Sequence, residues 1–142
     1  CLPQIDVFLE NGYTKEEEKM INETRKILNR PELKITATTV RVPVMNSHSE
    51  SINVEFENEF EIEELINTLK NSKGIIVQDD TSKEIYPLAI NTTGSDEVYV
   101  GRIRRDYSVE NGVNLWVVAD NIRKGAATNA IQIMEYLMDE ND

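Results

Sequence analysis

Short β-branched runs alternate along this chain with stretches whose apolar residues recur every three to four positions. Residues 35–40, Ile-Thr-Ala-Thr-Thr-Val, are β-branched and predict a strand, and residues 51–57 alternate polar with apolar through Ile52, Val54 and Phe56, as a half-buried strand does. Between them runs Arg41-Val-Pro-Val-Met-Asn-Ser-His48, read as a strand end followed by a short irregular loop. Pro43 limits ladder pairing there because it has no N–H to donate. Upstream, Met20, Ile21, Thr24, Ile27 and Leu28 fall on one helical face, with Lys19, Glu23 and Lys26 on the other. Thr14 with Glu17 forms the capping-box pattern that starts this helix, and Asn29-Arg-Pro31 stops it. A second helix is predicted over 60–70 from Ile62, Leu65, Ile66 and Leu69, ended by Gly74 and followed by a strand over 75–77.

The remaining pattern is also mixed. Residues 1–8 read as a short strand. Residues 98–103 predict another, with Val98, Val100 and Arg102 on one side and Tyr99, Gly101 and Ile103 on the other. Asn111-Gly112 signals a two-residue hairpin into a strand over 114–119. A last helix is expected from about Asn121 to Met138, capped by Asp120, with Ala126, Ala127, Ala130, Ile131, Met134 and Leu137 on its apolar face. The small residues Gly125-Ala-Ala127 would let a sheet, or a flat ligand, approach closely. These elements predict a single α+β domain over residues 1–142, with several largely antiparallel strands in one sheet and helices packed on one face.

Composition narrows the partners. The net charge of −11 argues against nucleic acid or an anionic membrane surface, both of which reward clustered Lys and Arg. No apolar run approaches the ~20 residues a membrane span needs, and no signal-peptide pattern opens the chain, so a soluble, cytoplasmic protein is expected. Arg102, Arg104 and Arg105 are the one basic knot. They lack the flanking aromatics of a nucleic-acid platform and are expected to pair with carboxylates. The acidic run Glu57, Glu59, Glu61, Glu63 and Glu64 reads as a helix start and solvated face. It is not read as a metal site, because no histidine accompanies it. The single cysteine, Cys1, forbids an internal disulfide and reads as a small buried apolar residue.

Candidate chemistry centres on the only histidine, His48, and on Arg41 seven residues before it. An imidazole and a guanidinium carried by a strand end and a loop tip are suited to catalysis. The same local pattern is equally compatible with a solvated histidine and an arginine that merely covers apolar surface. Glu16 and Lys19, one helical turn apart, likewise read locally as a solvated helix start.

Four segments taken together go further. Arg41-Val-Pro with His48-Ser-Glu, Gln4-Ile-Asp-Val-Phe upstream, and Arg102-Ile-Arg-Arg-Asp106 and Leu115-Trp-Val-Val-Ala-Asp-Asn-Ile-Arg-Lys-Gly-Ala-Ala127 downstream resemble aspartate-semialdehyde dehydrogenase, in order along nearly the whole chain. The resemblance covers the family's C-terminal catalytic and dimerisation portion. It implies a glyceraldehyde-3-phosphate-dehydrogenase-like C-terminal domain and a homodimer. The N-terminal dinucleotide-binding domain, its glycine-rich loop and the Asn-Cys nucleophile pair have no counterpart here, so the chain is expected to be an inactive fragment. In the family a cysteine thiolate attacks aspartyl phosphate, phosphate leaves, and hydride from NADPH gives the semialdehyde. The resemblance makes His48 the acid/base, Arg41 the grip on the substrate α-carboxylate, and Glu16 and Lys19 further substrate contacts. Asn121 would belong to the nicotinamide pocket, with NADP held mainly by the missing domain. A non-catalytic dimerisation module and a related acyl-phosphate or acyl-CoA reductase stand as alternatives.

Overall fold

A computed structural model describes residues 1–139 of the 142-residue chain. It forms two compact units, Cys1–Pro43 and Val44–Asp142. In the first, helix α1 spans Lys15–Ile27. Its start is the expected capping box: the Thr14 hydroxyl accepts from the Glu17 N–H at 3.2 Å, and the Glu17 carboxylate accepts from the Thr14 N–H at 2.8 Å. Asn29, at φ 51°, then leads the chain out of the helix ahead of Pro31. Of the expected apolar face only Ile21 is buried, and Ile27 is 79% exposed.

Two strands expected in this unit do not form. Residues 35–40 join no ladder, although burial alternates through Ile35, Ala37 and Thr39. β-branching favours extended backbone, but a ladder also needs a partner edge. Here the Thr39 N–H goes to the Glu17 carboxylate instead, at 2.8 Å. Residues 1–8 contribute only isolated bridges, Leu2 to Arg41 and Phe8 to Thr14. Cys1 is exposed rather than buried.

The second unit holds a four-stranded sheet in the order β1-β4-β3-β2, with β1 His48–Glu55, β2 Ile75–Val77, β3 Val98–Asp106 and β4 Gly112–Ala119. It is mostly antiparallel, as expected; β2 and β3 are the parallel pair. Helix α2, Ile62–Asn71, reaches this parallel edge through a stop at Gly74, whose φ of 79° suits glycine. Val113 and Val118, five positions apart and so on opposite faces of β4, are both fully buried, which means that each face of the sheet is covered. The short helix α3, Ala89–Thr92, lies against β4, and Pro87 just before it accepts the Trp116 indole N–H at 3.0 Å.

Three local expectations are corrected. The alternation over 98–103 holds only to Gly101. There a bulge opens against β4, with Arg102 at φ 52° and the Ile103 N–H turned to the Asp79 carboxylate at 2.9 Å. The bulge brings Arg105 opposite Val113, and Arg105 spends its guanidinium on the Phe60 carbonyl and ring rather than on a carboxylate. The β3–β4 connection is five residues long, not two. Its turn is closed by Asp106 accepting from the Ser108 N–H and hydroxyl, and Gly112 is required by space, since a Cβ there would lie 2.4 Å from Val109 Cγ2.

The last helix, α4, begins at Ala127 and runs to Asp139, six residues later than expected. Asp120 does cap a turn, but Gly125 at φ 83° ends that turn before the helix proper. Gly125, Ala126 and Ala127 are exposed, and Ile131, Ile133 and Met134 are all more than half exposed. Among the described residues no helix is long and apolar enough to cross a membrane.

Candidate active site

In the first unit, Glu16 and Lys19 occupy one outer edge of the first turn of α1 and are ion-paired, Nζ to Oε1 at 3.3 Å. Both remain partly exposed, so the pair is weak and easily opened by a charged ligand. Glu17 between them points the other way. It is 7% exposed, and its carboxylate accepts from the Thr14 N–H, the Thr39 N–H and, at 3.4 Å, the Thr39 hydroxyl. These bonds to backbone N–H groups hold its pKa below the ordinary glutamate value. Two residues beyond Thr39, Arg41 is closed against Leu2 by reciprocal backbone hydrogen bonds of 2.8 and 2.9 Å. Its side chain is exposed and forms no ion pair among the described residues.

In the second unit, His48 is the first residue of β1, opposite Ala119, rather than a loop-tip residue. Strand β1 is a sheet edge, which leaves the imidazole exposed while its backbone is fixed. The residue before it explains why the strand starts there. Ser47 is buried at φ 71°, and its Oγ accepts from the Thr92 hydroxyl at 3.0 Å. A left-handed backbone at a non-glycine residue is held only where its surroundings fix it. Thr92, wholly buried, supplies that restraint.

On the sheet face that carries His48, a cavity of about 210 Å³ is lined by His48, Glu50, Val98, Val117, Ala119, Asn121, Lys124 and Gly125. His48 and Asn121, far apart in sequence, thus share one concavity, with apolar strand residues as its floor. The turn bearing Asn121 is fastened by Asp120. One carboxylate oxygen accepts from the Ile122 N–H at 3.0 Å and the other from the Gly94 N–H at 2.8 Å. The Asp120 carbonyl accepts from the Arg123 and Lys124 N–H groups. The Gly94 and Ile122 N–H donors hold the Asp120 carboxyl below its usual value. A second tie joins the same two segments, Arg123 Nε to Asp96 at 2.6 Å.

The sequence-predicted residues therefore fall into two groups, Glu16, Lys19 and Arg41 in the first unit and His48 and Asn121 in the second. Residues not foreseen are Glu50 and Lys124, which bring one charge of each sign to the cavity, and Ser47 and Thr92, which hold backbone in place; Glu17 was expected as a capping residue but not as the acceptor of the Thr39 N–H. Glu50 was findable: it stands two positions after His48 on a strand and so shares its face. Lys124 and Thr92 depend on tertiary contacts that no local spacing reveals.

These features define an α+β sheet domain with an imidazole, an amide and a charged pair facing one pocket. Residues 1–124 match the family described as "Semialdehyde dehydrogenase, dimerisation domain", and the chain belongs to that family. Among particular relatives, the aspartate-semialdehyde dehydrogenase of Aquifex aeolicus (strain VF5) is 57% identical over 140 residues, 99% of this chain and 41% of the relative. The crystal structure of Vibrio cholerae aspartate semialdehyde dehydrogenase II complexed with ASA aligns with a TM-score of 0.91 at 47% identity, covering 97% of this chain and 40% of that one. The Candida albicans enzyme, crystallised with NADP, aligns with a TM-score of 0.76 at 26% identity over 99% of this chain and 44% of its own. The chain spans about 40% of the length of the curated relatives it matches.

Proposed function

We propose that this chain is the C-terminal catalytic and dimerisation part of a cytoplasmic, homodimeric, NADP-dependent aspartate-semialdehyde dehydrogenase. Such an enzyme interconverts aspartyl phosphate and aspartate semialdehyde in amino-acid biosynthesis. The observation that carries the reading is the cavity shared by His48 and Asn121, in a chain whose family and relatives are semialdehyde dehydrogenases.

His48 is exposed on a fixed strand end, where its imidazole is able both to take a proton from a thiol nucleophile and to return it. Arg41 presents a guanidinium fork with no ion pair among the described residues, the group best matched to the two oxygens of an α-carboxylate. Glu16 complements the substrate ammonium and Lys19 the phosphate. Their mutual ion pair holds the two side chains side by side until substrate competes for them.

The residues present also suit a nicotinamide. The Asn121 side chain offers a donor and an acceptor to a carboxamide, and Gly125 adds no side chain to the cavity wall. When bound, NADP supplies or accepts hydride. Most of its contacts are assigned to a separate dinucleotide-binding domain, and for that reason this chain alone is proposed to be inactive.

The test compares this chain with the protein expressed from its complete reading frame. Phosphate-dependent reduction of NADP by aspartate semialdehyde is expected from the complete protein and not from the chain. A complete protein that prefers a glutamate-type or malonate semialdehyde would reassign the substrate. One that forms dimers but turns over no semialdehyde would identify a non-catalytic module.

A further inference from the structure

Glu17 does more than close the capping box of α1. A helix start needs one acceptor from its N3 carboxylate, for the N-cap N–H, and Glu17 Oε2 meets that need at Thr14. The other oxygen, Oε1, reaches across 22 residues of sequence to the Thr39 N–H at 2.8 Å and the Thr39 hydroxyl at 3.4 Å. Thr14, Glu17 and Thr39 are all buried, so each N–H would be left without an acceptor if the carboxylate withdrew. The two elements joined in this way are the helix turn bearing Glu16 and Lys19 and the extended segment that ends at Arg41. Segment 35–40 has no ladder of its own; Glu17 holds it at Thr39, two residues before Arg41, and the Leu2–Arg41 bridge holds Arg41 itself.

We propose that Glu17 is a positioning residue for substrate: by binding the Thr14 and Thr39 N–H groups together, it sets the separation between Arg41 and the Glu16–Lys19 edge. It thereby sets the span across which the α-carboxylate is gripped relative to the ammonium and phosphate. This rests on the substrate roles proposed above for Arg41, Glu16 and Lys19. Glu17 itself, buried behind the helix, does not touch substrate.

The experiment uses the complete enzyme and the variants Glu17→Gln, Glu17→Asp, Thr14→Ala and Arg41→Lys. A glutamine has one acceptor oxygen for two N–H donors, and an aspartate is a methylene too short to reach both; the second variant serves should the first fail to fold. Either is expected to raise KM for aspartate semialdehyde about tenfold while changing kcat less than about threefold and leaving KM for NADP unchanged. Thr14→Ala weakens the same helix start but leaves both N–H groups and Glu17 in place. It is expected to lower the melting temperature without moving KM. Should the Glu17 variants lose only thermal stability while Arg41→Lys raises KM, the positioning role is overturned and the substrate assignment survives. Should Arg41→Lys also leave KM unchanged, the substrate assignment is overturned, and this inference with it.

Discussion

The close packing around Gly101 in the second unit gives a prediction that can be worked from distances. Gly101 of β3 pairs with Trp116, and a Cβ on it would lie 2.3 Å from the Gln78 carbonyl oxygen and 2.5 Å from Pro87 Cδ. Both fall far inside the ~3.5 Å at which nonbonded heavy atoms rest. Neither neighbour is the free end of a flexible side chain. The Gln78 oxygen is backbone, its own N–H is bonded to Val100, and Pro87 is fully buried. Gly101→Ala must therefore push backbone, and overpacking of this kind costs about 1–3 kcal/mol.

The displacement has a direction. Pro87 accepts the Trp116 N–H and precedes the α3 turn whose Thr92 holds Ser47, so the strain is passed toward His48. Trp116 is the only tryptophan, which makes its fluorescence a direct reporter. Urea unfolding followed by that emission is expected to show an earlier midpoint for Gly101→Ala and a red-shifted native spectrum. The complete enzyme should lose kcat as well. Gly94→Ala is the control, because a Cβ there meets nothing within 4 Å but must adopt φ 84°. Its cost of about 1–2 kcal/mol should come without the spectral shift. An alanine at 101 that unfolds within about 0.5 kcal/mol of the parent, with unchanged emission, would refute the packing argument.

Further outcomes follow from the site. His48→Asn in the complete enzyme should lower kcat by roughly a hundredfold to ten-thousandfold with a modest change in KM, as measured by steady-state kinetics. Arg41→Lys keeps the charge but loses the fork, and should weaken substrate binding by about 1.5–3 kcal/mol, read as KM. Acid should destabilise the fold through Glu17 and Asp120. Both carboxyls titrate lower when folded than their ordinary values of 4.5 and 3.8, so the unfolded chain takes up protons first as pH falls. Their contribution is complete above those ordinary values and is lost as pH drops through the folded ones; urea midpoints from neutral pH down to about pH 3 should show it, and Asp120→Asn should flatten the decline. Thr14→Ala should cost about 1 kcal/mol of helix stability, visible by circular dichroism during thermal unfolding.

What local pattern could reveal was a matter of range. The α1 capping box, α2 and its glycine stop, and β2 are written within a few residues of themselves, and each formed where its spacing put it. The strand expected over 35–40 rests on β-branching alone. Its N–H at Thr39 was taken by Glu17, a partner 22 residues away that spacing could not nominate. The bulge at Arg102 depends on Asp79, and the late start of α4 on Gly125 ending the turn that Asp120 caps. For the site, chemistry picked out His48 as the sole imidazole, and resemblance supplied the roles of Arg41, Glu16, Lys19 and Asn121. Glu50 follows from its place two positions after His48 on one strand, whereas Lys124 comes only from the shape of the cavity.

The central claim is that Arg41 recognises the substrate carboxylate while His48 takes and returns the proton of the thiol nucleophile. It is tested most directly by comparing, in the complete enzyme, aspartate semialdehyde with 3-aminopropanal, the same aldehyde without the α-carboxylate. Replacing Arg41 by leucine should bring the kcat/KM preference for aspartate semialdehyde down to near parity, while His48→Asn should slow both aldehydes alike and keep the preference. A preference untouched by loss of Arg41 would contradict the account.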